Sequence, residues 1–307
     1  MIRLIKDTNI NFVSAKKITY FISALLVING LFALYRIATG SAAMGLDFTG
    51  GSAIQVKFEK KVETQQIRDI MTAHNFTQTF IQKIGPDEDN TFLIRIGVGE
   101  IKEENVTARL AEMVRADTGD ENMMVLEESD VGPVVSVQLK QKALLAVIFA
   151  SFGILIYIWI RFKFKFAVVA TAATIHDVLA VLGILVLMGR EIDLLVITAL
   201  LTVAGFSLND TVVLFDRIRE NMRHILKMPF MDIANKSVNE VLSRTIITGI
   251  TTLFVAGSLI VFGGNVLQSF SIAIALGVVV GTYSSDLLAA PLLVDWENYE
   301  KKHKAIR

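Results

Sequence analysis

The sequence predicts an α-helical integral membrane protein with six transmembrane helices and one α+β external domain between the first two. Three observations carry that expectation. Of 307 residues, 53% are hydrophobic, and they come in long blocks rather than spread by periodicity. Six of the blocks approach or exceed the roughly 20 residues a spanning helix needs. Between the first and second block the pattern changes to short alternating runs. Lys+Arg and Asp+Glu both number 30, so bulk charge argues against a nucleic-acid binder. The chain has no cysteine, which excludes disulfides and thiolate metal sites, and His74, His176, His224 and His303 are too scattered for a zinc cluster.

The predicted spans are Ile18–Tyr35, Ala143–Ile160, Phe166–Met188, Leu194–Phe215, Thr245–Phe262 and Phe270–Val294. Small residues follow the first block, as after a signal peptide, but its apolar core exceeds the usual h-region of about 7–15 residues. It reads as an uncleaved anchor. Lys and Arg sit on one side of these spans. The N-terminal tail carries Arg3, Lys6, Lys16 and Lys17, and the second-to-third loop Arg161, Lys163 and Lys165. The fourth-to-fifth loop holds Arg217, Arg219, Arg223, Lys227, Lys236 and Arg244, and the C-terminal tail Lys301, Lys302, Lys304 and Arg307. The short loops opposite hold Arg190. Both termini are therefore expected in the cytoplasm. The chain divides into residues 1–38 (tail and first span), 39–142 (extracytoplasmic domain), 143–294 (second to sixth spans) and 295–307 (tail).

The segment 39–142 has 17 acidic and 11 basic residues. Alternation predicts strands at Ile54–Phe58, Phe80–Ile84 and Phe92–Ile96, and a last strand starting at Met123–Leu126. Helical spacing predicts Thr64–His74, with Ile67, Ile70, Met71 and His74 on one face. It also predicts Lys102–Asp117, with Val106, Leu110, Met113 and Val114 buried. Gly85-Pro86 marks a turn. The order βαβ-βαβ is the split, ferredoxin-like arrangement. No nucleophile–base pair or metal-ligand cluster stands out, so the module suggests docking or peptide contact rather than chemistry.

The informative residues are ionisable groups inside the spans, each costing about 2.5–3.5 kcal/mol at a helix centre on insertion scales. They are His176 and Asp177 in the third helix, Asp210 (after Asn209) in the fourth and Asp286 in the sixth. Thr198, Thr202, Gly205 and Asn209 form a small, polar stripe on the fourth helix. The fifth carries Thr245, Thr248 and Thr252, with Arg244 at its start. The sixth has a small residue at every fourth position: Ala273, Gly277, Gly281, Ser285 and Ala289. Such rows allow close helix approach. The expectation is a packed trio of fourth, fifth and sixth helices, with hydroxyls and Asp210 directed at one another or at water. A second polar network would draw on His176, Asp177, Thr248, Thr252, Ser284, Ser285 and Asp286. Burial penalises a carboxyl's charged form, so Asp210 is a candidate to load and release a proton, opposed by Arg244. The alternative for each such residue is simple glue between helices.

Several strings resemble one family. Gly45-Leu46-Asp47-Phe48-Thr49-Gly50-Gly51 follows the first span, and Val131-Gly132-Pro133 precedes the second. Gly205-Phe206-Ser207-Leu208-Asn209-Asp210-Thr211-Val212-Val213 runs into Phe215-Asp216-Arg217-Ile218-Arg219-Glu220-Asn221. Ser243-Arg244-Thr245 opens the fifth span, and Tyr283-Ser284-Ser285 lies in the sixth. With the topology, these resemble the SecD/SecF family of bacterial protein-export membrane proteins, on the SecF side, over nearly the whole chain. The resemblance implies one half of an RND-superfamily bundle in the cytoplasmic membrane. It implies work with SecD and the SecYEG channel, with a YajC-like subunit as a further partner, on a translocating unfolded polypeptide, using the proton-motive force. It places Asp210 at the proton-carrying aspartate and Arg244 at its coupled arginine. Asp286 departs from the apolar residue expected there. Gly45, Asp47, Gly50 and Gly51 read as a junction between the first helix and the external sheet, with glycines for positive φ and a structural Asp47.

The expected function is thus an auxiliary translocase subunit driven by an ion gradient, with no cofactor beyond the coupling ion, H⁺ or Na⁺. The competing readings are an RND-type half that transports small molecules or lipids, and a passive scaffold of the channel. An enzyme is disfavoured, because no zinc, ATP-binding or intramembrane-protease motif is present.

Overall fold

The structure, a computed structural model, describes residues 8–76, 79–84, 89–97, 106–225 and 228–304. The expected Gly85-Pro86 turn, the first turn of the helix expected from Lys102, and the tail cations Arg3, Lys6 and Arg307 lie outside these residues, as does Lys227. The chain forms two compact units. One is Met44–Leu145; the other joins the residues up to Ala43 with those from Ala146.

The smaller unit opens with a short helix, α2 (Leu46–Thr49), and continues β1 (Gly51–Lys57), α3 (Thr64–Ala73), β2 (Thr79–Ile84), β3 (Thr91–Ile96), α4 (Val106–Thr118) and β4 (Met124–Val131). The sheet is antiparallel throughout, in the order β2-β3-β1-β4, with Ile54 opposite Ile94 and Glu128. This is the split βαβ arrangement expected. Alternate residues of the strands (Ile54, Val56, Ile81, Phe92, Ile94, Ile96) meet Ile67 and Met71 of α3 and Val106, Leu110 and Val114 of α4 in one core. His74, read from the sequence as a partly exposed helix-end residue, is that: it caps α3, exposed, 2.7 Å from Asp117. Asp120, between α4 and β4, is almost fully buried and accepts the backbone N–H groups of Glu59 (2.8 Å), Lys60 (3.0 Å) and Asn122 (3.2 Å).

The larger unit holds the helices. Among the described residues, six are long and apolar enough to cross a membrane. They are α1 (Lys16–Ala38, preceded by a 3-10 turn from Val13), α5 (Pro133–Arg161), α6 (Phe164–Leu187), α7 (Leu194–His224) and α8 (Phe230–Phe262). The sixth is a composite: α9 (Gly264–Tyr283), a π-helical turn (Ser284–Ala289) and α10 (Ala290–Lys304). Four helices, the composite sixth among them, clearly outrun the hydropathy prediction. At a rise of 1.5 Å, the 31 residues of α7 reach roughly 46 Å, beyond a hydrocarbon core of about 30 Å. Hydropathy reports the part that sits in lipid, whereas the helix continues as long as its backbone bonds do. So α7 runs past Phe215, α8 starts at Phe230 rather than Thr245, and α5 starts at Pro133, the position where a missing N–H is harmless. The extensions of α7 and α8 are joined by polar bonds: Arg217 to Glu240 (2.7 Å) and Asn221 to Ser237 (3.0 Å) and Glu240 (2.7 Å). An aromatic cluster of Phe162, Phe166 and Phe215, with Phe230, Val238 and Leu293, fills the core at that end.

Glycines set the helix spacing. A Cβ on Gly30 of α1 would lie 2.5 Å from the Leu179 carbonyl oxygen, and one on Gly183 of α6 would lie 2.8 Å from the Gly30 nitrogen. Between α7 and α9, a Cβ on Gly277 would lie 2.0 Å from a Val203 methyl, and one on Gly281 would lie 3.2 Å from Ser207 Cβ. The row Ala273, Gly277, Gly281, Ser285 and Ala289 is buried along its whole length. We expect Gly277→Ala to destabilise the bundle by about 1–3 kcal/mol through overpacking, and Val203→Ala to restore it in the double variant. Thermal unfolding in detergent reads both.

The three N–H groups on Asp120 hold its carboxyl below the usual aspartate range, with the Lys60 bond the largest contribution. A carboxyl lowered in the folded state stabilises above its unfolded value, near 3.9, and the stabilisation is lost as pH falls through the folded value. The excised α+β domain should therefore hold a level melting temperature from neutral pH to about 5 and lose it below about 4. Asp120→Asn should lower the neutral plateau and flatten the acid drop.

Candidate functional site

Asp193 starts the helix that carries the candidate residues. Its carboxylate caps α7 by accepting from the Val196 N–H at 2.7 Å. From there, α7 turns two faces in different directions. Val203, Ser207, Asp210, Thr211 and Leu214 are buried; Thr198, Thr202, Gly205 and Asn209 are exposed. The expected stripe therefore does not face the fifth and sixth helices. The sixth helix meets α7 one column over, because its glycines accept Val203 and Ser207. Thr198 and Thr202 instead bond carbonyls of their own helix, those of Leu194 (2.9 Å) and Thr198 (2.8 Å).

Asp210 is 4% exposed, and so is Asp286. Asp286 lies in the π-helical turn, which interrupts the sixth helix at Ser284. Asp286 lies within the field of Asp210, which joins two residues that sequence spacing keeps apart. Asp210 Oδ2, Thr211 Oγ1, Thr282 Oγ1 and Asp286 Oδ1 are all buried without a hydrogen-bond partner among the described residues. Four orphan oxygens on two neighbouring helices are unusual, since buried polar atoms are nearly always paired. They are a place where protons or an ion can be exchanged for protein contacts.

Arg244 is exposed and forms no ion pair among the described residues. It acts on Asp210 through space, as the charged group nearest in effect. No ion pair joins the two among the described residues, because Arg244 sits on the outward face of α8, one residue before the buried Thr245. Thr248 and Thr252 also leave the expected network: Thr248 bonds the carbonyls of Arg244 (3.1 Å) and Thr245 (3.0 Å), and Thr252 that of Thr248 (2.9 Å). Ser285 bonds the Thr282 carbonyl at 3.1 Å.

The second network is real but has different members. Asp177 is fully buried. Its Oδ2 accepts from Ser284 Oγ at 2.6 Å and also from Ser207 Oγ; its Oδ1 lies 2.8 Å from His176 Nδ1. Three elements, α6, α7 and the π-helical turn, meet at this one carboxylate. The His176 ring stands 6.4 Å from that of Tyr283, whose hydroxyl donates to the Thr19 carbonyl of α1 at 2.9 Å. Sequence reasoning missed Ser207. Its spacing of three residues from Asp210 on one helix was the available signal.

In the smaller unit, Gly45 caps α2 and Asp47 lies in its first turn. Gly50 (φ 69°) and Gly51 (φ 111°) turn the chain into β1, and a Cβ on Gly51 would lie 2.2 Å from the Ile96 carbonyl oxygen. Both glycines are thus required by the backbone.

Since Arg244 is exposed and unpaired, Arg244→Ala should leave stability within about 0.5 kcal/mol of wild type. Asp177→Ala, which strips buried Ser207 of its acceptor and leaves Ser284 only the longer bond to the Gly281 carbonyl (3.2 Å), should cost about 2–5 kcal/mol. Thermal unfolding of the detergent-solubilised chain separates the two.

The profile of the family described as "Protein export membrane protein SecD/SecF, C-terminal" matches residues 111–299, and that of the "SecD/SecF GG Motif" matches residues 44–62. A relative named "Protein translocase subunit SecF", from Thermodesulfovibrio yellowstonii, is 41% identical over 96% of this chain and 97% of its own length. One of the same name from Calditerrivibrio nitroreducens is 40% identical over 95% and 96%. Among solved structures, SecDF from Thermus thermophilus, titled a translocon-associated membrane protein, superposes with a TM-score of 0.82 at 32% identity. That match covers 95% of this chain and 39% of the other, so the chain spans about two fifths of the SecDF polypeptide. The chain belongs to the SecD/SecF family of protein-export membrane proteins, as a SecF-type member.

Proposed function

We propose that this chain is an auxiliary subunit of the Sec protein translocase that, paired with a SecD-like half, uses the proton-motive force to promote late steps of polypeptide export. The observation that carries the reading is Asp210: a carboxyl group buried inside a helix bundle, with one oxygen unpartnered and a second buried carboxyl, Asp286, within its field. Such a group in a membrane is costly and has work to do.

A proton arriving from the extracytoplasmic side neutralises Asp210. Its attraction to Arg244 and its repulsion of Asp286 both fall, and the balance between α7, α8 and the sixth helix changes. Two buried like charges hold the helices apart or demand a counter-ion, whereas one proton lets them close. The repacking is passed along α1 and the Gly45–Gly51 segment to the α+β domain, which lies outside the cytoplasm with both termini inside. That domain offers no metal-ligand cluster among its described residues and suits a holding role toward an unfolded polypeptide. The exposed face of α7 (Thr198, Thr202, Gly205, Asn209) is where the SecD-like half packs, and SecYEG, with a YajC-like subunit, completes the assembly. The coupling ion is H⁺ rather than Na⁺. The bilayer is the bacterial inner membrane.

The test is export into proteoliposomes holding SecYEG, a SecD subunit and this chain, with and without an imposed proton gradient. Asp210→Asn should abolish the gradient-dependent part and leave ATP-driven export intact. Arg244→Ala should reduce it by about ten-fold, the scale of a coupling of 1–2 kcal/mol. Stimulation should persist when sodium is replaced by potassium. Unchanged stimulation in Asp210→Asn rules the proton role out, and loss in potassium transfers it to Na⁺.

A further inference from the structure

Asp177 has no part in the mechanism above, yet three side chains meet at its carboxylate. It is fully buried, and one of its oxygens accepts hydroxyls from two other elements at once. Those hydroxyls are not arbitrary. Ser207 stands one helical turn before Asp210 on α7. Ser284 is the first residue of the π-helical turn that carries Asp286. The site is therefore wired to both carboxyl-bearing elements, while touching neither carboxyl.

The register of that turn matters. A π-helical turn holds one residue more than an α-helical one, and its backbone bonds are poorer, so it persists where other contacts favour it. Were Ser284–Ala289 to relax to α-helix, the residues past its end would rotate by roughly 100° relative to those before it, and Asp286, inside the turn, by a part of that. Asp286 would then turn away from its present position relative to Asp210. Ser284 is the residue from which the turn departs, and its Oγ is held at 2.6 Å by Asp177. The close approach that brings Ser207 to the same oxygen is set by Gly281, whose missing Cβ leaves room for Ser207.

We infer that Asp177 is a positioning residue: by accepting from Ser207 and Ser284 together, it holds the π-helical turn in the register that sets Asp286 beside Asp210. The inference rests on the reading of Asp210 as the proton carrier and names what fixes its geometry. His176 Nδ1 satisfies the other oxygen, at 2.8 Å, which turns the carboxylate toward the serines. The role needs an acceptor at this point, not a charge. Asparagine can place its carbonyl oxygen where Oδ2 lies and donate its amide N–H to His176 Nδ1, which then accepts as the Nε2–H tautomer, so it retains the clasp.

The experiment uses the full chain with its SecD partner and two readouts. One is amide hydrogen exchange across residues 284–290, and the other is gradient-stimulated export. Asp177→Ala and the milder Ser284→Ala should speed exchange in this segment by about ten-fold or more. They should cut the gradient-dependent part of export by a similar factor, leaving ATP-driven export unchanged. Asp177→Asn should match wild type on both. A general loss of packing would lower both export components and would not be rescued by asparagine. Asparagine as damaging as alanine overturns the proposal, because charge or proton transfer at Asp177 is then required; so does wild-type exchange in Asp177→Ala. Asp210→Asn runs alongside. If it keeps full stimulation while the exchange pattern holds, the proton reading fails and the clasp stands.

Discussion

The close approach of α7 to the sixth helix is the constraint on which the candidate site depends. It is made by what the sixth helix lacks: Gly277 and Gly281 present no Cβ to Val203 and Ser207. In lipid there is little hydrophobic gain from bringing helices together, so contact area and polar bonds must do it. Backbones this close leave no room for lipid or bulk water between them. Whatever polar groups lie at the seam must then find partners in the protein.

The seam solves that demand in two ways. At Asp177 both carboxylate oxygens are met, with two serines and a histidine around them, although the far nitrogen of that histidine, His176 Nε2, has no partner among the described residues. At Asp210 and Asp286 it is left unmet, with Thr211 and Thr282 also unpartnered. The first arrangement is rigid, since breaking it exposes several groups at once. The second is where binding a proton, or releasing one, changes the balance most. On the function proposed above, a fixed point beside a switchable one is what would turn a local protonation into movement of helices. The π-helical turn lies between the two and belongs to both, starting at Ser284 and carrying Asp286.

Most of the fold was legible in the sequence. Hydrophobic blocks gave six helices, because hydrocarbon leaves few alternatives for a backbone. Alternation and helical spacing gave the βαβ-βαβ order, with Ile54, Ile67 and Leu110 in the core as expected. The helix lengths were less legible: hydropathy ends where lipid ends, while α7 and α8 continue into a polar pair built on Arg217, Glu240 and Asn221. Within the site, residue identity was readable and partnership was not. Asp210 and Asp177 announce themselves as charges in apolar runs. Which face of α7 turns inward depends on the rotation of one helix against another, so the polar stripe at Thr198–Asn209 was assigned to the wrong neighbours. Arg244 was expected near Asp210 as an opposing charge; its place one residue before the buried Thr245 leaves it exposed and without an ion pair among the described residues. The link from Asp210 to Asp286 depends on a π-helical turn, a register change with no clear mark in the sequence.

The account turns on Asp210 taking up and giving back a proton while the chain works. Infrared difference spectroscopy of the reconstituted complex reads this directly, through the carboxyl C=O stretch on a jump in pH. The account predicts a protonated-carboxyl band that disappears at alkaline pH and is missing in Asp210→Asn. A spectrum in which Asp210→Asn and wild type show the same carboxyl changes would contradict it.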